Sequence, residues 1–177
     1  MPAAEYLAQS SGGYVAEEIS SQYRLAQECI AHLSSRHQTL AVAESLTGGA
    51  LASAFVDVSG ASLCFRGGVV AYTVEAKAQI LGVDQGDLAR TGPVDRQIAC
   101  QMARGVARLF GADYALATTG VAGPGSADGH PAGTVWIGIL TPDGVRARLL
   151  QLSGMRQDVR RSTVECALQE FHKELVK

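Results

Sequence analysis

A chain of 177 residues is the size of one domain, long enough to bury about two-thirds of its unfolded surface around a single core, so a second catalytic domain is not expected. The formal charge of −2, with acids interspersed among arginines, provides no basic stripe for a phosphate backbone and argues against direct nucleic-acid binding. There is no run of about 18 apolar residues and no signal-like segment before Arg24, which argues against a membrane span and points to a cytoplasmic protein.

Residues 1–18 are small, polar and glycine-containing and are expected to form a flexible arm; residues 19–177 then make a single domain. Ile19, Tyr23, Ala26, Ile30 and Leu33 recur at steps of four and three, the stripe of an amphipathic helix. The apolar run 40–43 predicts a strand, Ser-Leu-Thr-Gly-Gly a tight turn, and Leu51, Ala54, Phe55 and Val58 a second helix. Residues 67–73 predict a strand, 75–81 a short helix ending at Gly82, and 97–110 a helix with Ile98, Met102, Val106 and Leu109 inward, closed by Gly111. Residues 114–118 predict a strand that runs into TTGVAGPGSADGHPAG, where glycine and proline forbid regular structure. Residues 133–140 and 145–152 flank Thr-Pro-Asp-Gly and predict a β-hairpin; Val159, Thr163, Ala167 and Phe171 predict a closing helix. Strands alternating with helices, then a hairpin, specify an α/β fold whose largely parallel or mixed sheet is covered on both faces, with ligands gathering at the carboxyl ends of the strands.

The glycine turns fall at those ends. Ser45 follows a strand, and Thr47, Gly48 and Gly49 open a helix whose free N–H groups could bind an anion or a developing oxyanion; capping by Ser or Thr is the competing reading. Tyr72 ends the next strand and Lys77 lies within the first turn after it. Arginine supplies twelve of the fifteen basic residues, and Lys77 is the only lysine in the body of the domain. Lysine can lose its proton when desolvated and arginine effectively cannot, so a serine activated by a neutral lysine, with tyrosine as relay, would suit amide hydrolysis. In the loop, Gly120 and Gly123 would let backbone approach a ligand, and Arg156 and Arg160, one helical turn apart, could clamp a phosphate. Cys29, Cys64, Cys100 and Cys166 show no paired spacing, and His32, His37, His130 and His172 show neither metal spacing nor a partner for Ser45, so neither a metal nor a Ser-His-Asp triad is expected.

AESLTGG, AYTVEAK, TTGVAGPG and PAGTVWIG, in this order and spacing, resemble the CinA C-terminal-domain family of nicotinamide-nucleotide amidohydrolases over about residues 39–175. The resemblance implies a three-layer α/β/α domain, a homo-oligomer with a dimer favoured, that hydrolyses the carboxamide of nicotinamide mononucleotide to nicotinate mononucleotide and ammonia without metal or cofactor. It implies Ser45 as nucleophile with Tyr72 and Lys77 assisting, and Thr47, Gly48, Gly49, Thr119, Gly120, Ala122, Gly123, Pro124, Arg156 and Arg160 around the pyridine nucleotide. Backbone amides near residues 47–49 or Gly120 would hold the oxyanion. Two positions depart from the family pattern: Val74, often Asn, and Met155, often acidic. A non-catalytic member that binds pyridine nucleotides or a protein partner is the alternative.

Overall fold

The structure is a computed structural model and describes residues 20–177, so the expected arm lies outside the described residues. Five strands form one sheet in the order β2-β1-β3-β4-β5. Its members are β1 (Leu40–Glu44), β2 (Phe65–Val70), β3 (Tyr114–Gly120), β4 (Thr134–Thr141) and β5 (Gly144–Gln151). β2, β1 and β3 run parallel, whereas β3–β4 and β4–β5 are antiparallel, so the sheet is mixed as expected. β4 and β5 form the anticipated hairpin around Pro142-Asp143, with Thr141 opposite Gly144.

Helices α1 (Ser21–Ser35), α2 (Ala50–Val56) and α6 (Arg156–Leu175) cover one face of the sheet; α3 (Val74–Leu81), α4 (Gln85–Thr91) and α5 (Arg96–Phe110) cover the other. Side-chain alternation along the central strands creates the two layers. Leu40, Val42 and Leu116 pack with Ile30, Leu33, Phe55, Leu168 and Phe171 on the first face. Ala41, Ala43, Ala115 and Ala117 meet Ile98, Met102 and Val106 on the second.

The alanine face lets α5 lie unusually close to the sheet. A Cβ on Gly138 in β4 would stand 2.2 Å from the Ala99 carbonyl oxygen of α5. On the other face, bulky aliphatic and aromatic side chains hold α1 and α6 farther off.

α4 and the short 3₁₀ turn Ala61–Leu63 were not anticipated from the sequence. α4 contains Gly86 and buries only Leu88, so it offers no apolar period; the Asp84 side chain, accepting from the Asp87 N–H, starts it. β2 ends at Val70, three residues short of its predicted end, because Thr73 is already the cap of α3 and accepts from the Ala76 N–H.

Because β1, β2 and β3 are parallel, their carboxyl ends share one edge of the sheet. β5 runs the same way, so α6 also starts there. Substituting Gly138→Ala should lower the unfolding free energy by about 3 kcal/mol in a denaturant titration, since the added methyl overlaps the α5 backbone.

Candidate active site

Five chain segments converge at that edge around a cavity of about 220 Å³. Its walls include Ser45 and Leu46 after β1, Tyr72 and Lys77 around the start of α3, Pro93 and Val94 before α5, the end of β3 and the loop after it (119–125, Ala127 and Asp128), and Arg156 at the first turn of α6.

The turn carrying Ser45 is built by Glu44. This last residue of β1 is 1 % exposed, yet its carboxylate accepts hydrogen bonds from the N–H groups of Gly49 (2.9 Å), Leu51 (3.0 Å) and Ala52 (2.8 Å). A buried carboxylate needs such partners, and the first N–H groups of α2 need an acceptor. Gly49 stands at φ 98°, in the left-handed region that lets the chain reverse into the helix.

The helix start is therefore occupied by the chain's own carboxylate, and of the amides at residues 47–49 or Gly120 expected to hold an oxyanion, two are already engaged: the Gly48 N–H is bonded to the Ser45 carbonyl and that of Gly49 to Glu44. Nor do Ser45 or Thr47 cap α2; the Thr47 hydroxyl is buried against that of Thr118 at 2.7 Å.

Lys77 is 1 % exposed, although it lies on a helix only eight residues long. Its Nζ lies 3.0 Å from Ser45 Oγ, 3.0 Å from the Ala71 carbonyl and 3.3 Å from the Tyr72 carbonyl. Among the described residues no carboxylate touches the amine, and burial lowers its pKa to about 8, while the more distant Asp128 charge pulls the other way. A neutral amine fits this setting: two N–H bonds for two carbonyls, and one lone pair for the serine proton. Val74 does not hold the lysine. It follows the Thr73 cap, is partly exposed, and has no part in the three contacts to Nζ.

Tyr72 stands elsewhere than a relay would. The residue is 57 % exposed, and its hydroxyl accepts from an Arg156 guanidinium N–H at 2.9 Å; only its carbonyl meets Lys77. Lysine and serine are in direct contact. Arg156 also donates to the Gly123 carbonyl (2.8 Å), so this arginine joins the tyrosine to the glycine loop across the mouth.

Arg160, expected as the second half of a phosphate clamp, lies outside the cavity wall. It donates to the carbonyls of Leu46 (3.0 Å) and Thr47 (2.8 Å) and braces the Ser45 turn from α6. Thr47, Gly48 and Gly49 also lie off the wall, whereas Thr119, Gly120, Ala122, Gly123 and Pro124 are on it. The glycine at 120 answers to the sheet: a Cβ there would stand 2.5 Å from the Thr134 carbonyl oxygen. Met155 is exposed and off the wall; its N–H is bonded to Asp158, which supplies an acid at the start of α6 three residues later. His130 does not line the cavity either. Leu46, Pro93, Val94, Ala127 and Asp128 also line the cavity and were not expected there; of these only Asp128 left a local trace, as the first residue of an Asp-Gly turn.

Among the described residues, no three His, Cys, Asp or Glu side chains gather as a metal site would require, and no helix is long and apolar enough to cross a membrane.

The family described as CinA C-terminal domain matches residues 22–175 of the chain. A CinA-like protein of Frankia casuarinae is 52% identical over 133 residues, which cover 75% of this chain and 31% of that protein. A putative competence-damage inducible protein of Desulforamulus reducens is 48% identical over 130 residues, 73% of this chain and 32% of that one. The chain thus spans about a third of the length of these curated relatives. Among solved structures, the competence/damage inducible protein CihA from Agrobacterium tumefaciens superposes with a TM-score of 0.84 at 34% identity, covering 89% of this chain and 97% of that one. A CinA superfamily protein from Escherichia coli gives a TM-score of 0.83 at 31% identity, covering 92% and 94%.

Substituting Glu44→Gln should cost about 3 kcal/mol of stability in chemical denaturation, because a neutral amide replaces an acceptor of three backbone N–H groups. Unchanged stability would remove Glu44 as the anchor of the turn.

Proposed function

The chain belongs to the CinA C-terminal domain family, and from that premise we propose that it is an amidase that hydrolyses the carboxamide of nicotinamide mononucleotide, with Ser45 as nucleophile and Lys77 as its base. The observation that carries this reading is the 3.0 Å contact between the serine hydroxyl and a buried lysine amine that, among the described residues, has no carboxylate against it. With a pKa of about 8, roughly a tenth of the lysine is free amine at pH 7, against well under a thousandth at the ordinary value. That fraction is enough for general base work without a histidine.

In this mechanism the Lys77 amine takes the Ser45 proton as Oγ attacks the carboxamide carbon, and the carbonyl π electrons move onto oxygen. The Leu46 N–H, beside the nucleophile on the cavity wall, and those of Gly120, Ala122 and Gly123 are the candidate donors to that oxyanion, since the Val121 N–H is bonded to the Thr134 carbonyl and Pro124 has none. Collapse breaks the C–N bond, and the Lys77 ammonium returns its proton to the departing nitrogen as ammonia. Water, deprotonated by the same lysine, then attacks the acyl-serine, releasing the pyridine carboxylate and restoring Ser45. No metal or cofactor enters any step.

Arg156 carries a charge at the mouth and is the proposed phosphate contact; its bonds to Tyr72 and Gly123 hold it in place. Tyr72 acts here by orienting Arg156 and walling the mouth, and not as a proton relay. Thr119, Gly120, Ala122, Gly123 and Pro124 supply the backbone wall against which the nucleotide lies. Thr47, Gly48, Gly49 and Arg160 serve the nucleotide indirectly, by fixing the Ser45 turn. A cytoplasmic location and a homodimer are part of the same proposal.

The purified protein should release ammonia from nicotinamide mononucleotide, and Ser45→Ala should abolish the release. Undiminished turnover in that variant would exclude the nucleophile assignment, and nucleotide binding without ammonia release by the unaltered protein would favour a non-catalytic member. Lys77→Arg should lower kcat by at least about a hundredfold, because a permanent cation replaces the base. The working form of Lys77 is the deprotonated one and its pKa is lowered, so kcat/KM should rise with pH and level off above about pH 8. A profile flat from pH 6 to 9 would exclude the lysine as base.

A further inference from the structure

Among the described residues, Asp128 is the sole carboxylate on the cavity wall, and neither the base nor the nucleophile uses it. Its position is built. Ala127 and His130 exchange N–H to carbonyl hydrogen bonds of 3.0 and 2.9 Å, closing a two-residue hairpin turn. Both residues within it, Asp128 at φ 53° and Gly129 at φ 77°, are left-handed, the geometry of a type I′ turn, for which Asp-Gly and Asn-Gly are the favoured sequences. A Cβ on Gly92 would lie 3.8 Å from the Asp128 Cβ, so the turn rests over the segment that contributes Pro93 and Val94 to the same wall.

The charged groups around the cavity are therefore Lys77, whose amine is neutral when it works, Arg156 and Asp128. One cation and one carboxylate then remain, on separate segments of the wall. A pyridine nucleotide carries the complementary pair, a phosphate and a positively charged ring nitrogen. Arg156 can answer the phosphate. With Arg156 so engaged, Asp128 is the wall's remaining fixed charge, and it has the sign that attracts a cationic ring.

We propose that the Asp128 carboxylate is the counter-charge for the ring, so that the site selects N-substituted pyridinium carboxamides over otherwise identical compounds whose ring is neutral. This inference rests on the amidase reading above, because it takes the pyridine nucleotide as ligand. Asp128 also acts on Lys77 through space, raising a pKa that burial lowers. A cationic ring bound between them would offset that pull and favour the free amine, so the same carboxylate that recognises the ring would leave the base readier once the ring has arrived.

The test measures binding in the Ser45→Ala background, where turnover is removed, by calorimetry with nicotinamide mononucleotide and with its reduced form, which keeps the phosphate, ribose and carboxamide but has an uncharged dihydropyridine ring. Adding Asp128→Asn removes the charge and keeps a residue suited to the turn. The expected result is about a tenfold loss of affinity for the oxidised nucleotide and none for the reduced one. An equal loss for both, or a loss for neither, would overturn the role of Asp128 while leaving the amidase reading intact. If the Ser45→Ala protein with Asp128 intact binds neither nucleotide, the substrate class falls and this inference falls with it. In the active protein, Asp128→Asn should also move the rising limb of kcat/KM to lower pH, since Lys77 loses the charge that holds its proton. A purely structural turn residue would not shift that limb, and an unmoved limb would count against the proposal.

Discussion

The site depends on one buried carboxylate. Glu44 closes the central parallel strand β1, and its three bonds to the first N–H groups of α2 convert a strand end into a fixed turn. An unpaired carboxylate at this depth would be prohibitive, so the turn and the helix start must form together. Ser45 stands next to this anchor, with its own N–H bonded to the Thr118 carbonyl of β3. Arg160 reaches from α6 to the carbonyls of residues 46 and 47 and fixes the other side of the turn. The serine hydroxyl thereby holds a defined position relative to β1, β3 and α6, all of which end or begin at the same edge of the sheet.

Against that fixed hydroxyl the fold places an amine it cannot easily keep charged. Lys77 emerges from the first turn of α3 and turns inward, where two carbonyls and the serine oxygen are its partners and, among the described residues, no carboxylate is in contact. The carbonyls come from Ala71 and Tyr72, the residues joining β2 to α3, so the lysine is held by the backbone of the segment that carries it. This explains how a valine can stand at position 74, since no side chain there is needed to position the amine. Asp128 lies outside the contact shell and moderates the amine's charge through space without pairing with it.

Much of this was legible in the sequence, for definite reasons. The periods of three and four in α1, α5 and α6 come largely from side chains that face a core, although Leu109, expected inward on α5, is exposed; the glycines at 82 and 111 stand at left-handed helix ends. The scarcity of lysine in an arginine-rich chain singled out Lys77, because only lysine changes charge readily on burial. The short helix α4 left no comparable signal, since a helix whose sole buried side chain is Leu88 has no period to detect.

The α/β class, the order of the strands and long helices and the residue types at strand ends were readable from the chain alone, because they follow from local periodicity and from backbone conformations that glycine and proline impose. The tertiary structure decided which groups meet. Ser45 and Lys77 are separated by thirty-two positions, and their contact depends on the parallel pairing of β1 and β2. The same holds for Glu44 turning back to α2, for Tyr72 facing Arg156, and for Arg160 bracing a turn where a phosphate was expected. Each is set by the direction a side chain takes from a packed element. Local sequence does not encode that direction; the sheet and the helices over it impose it.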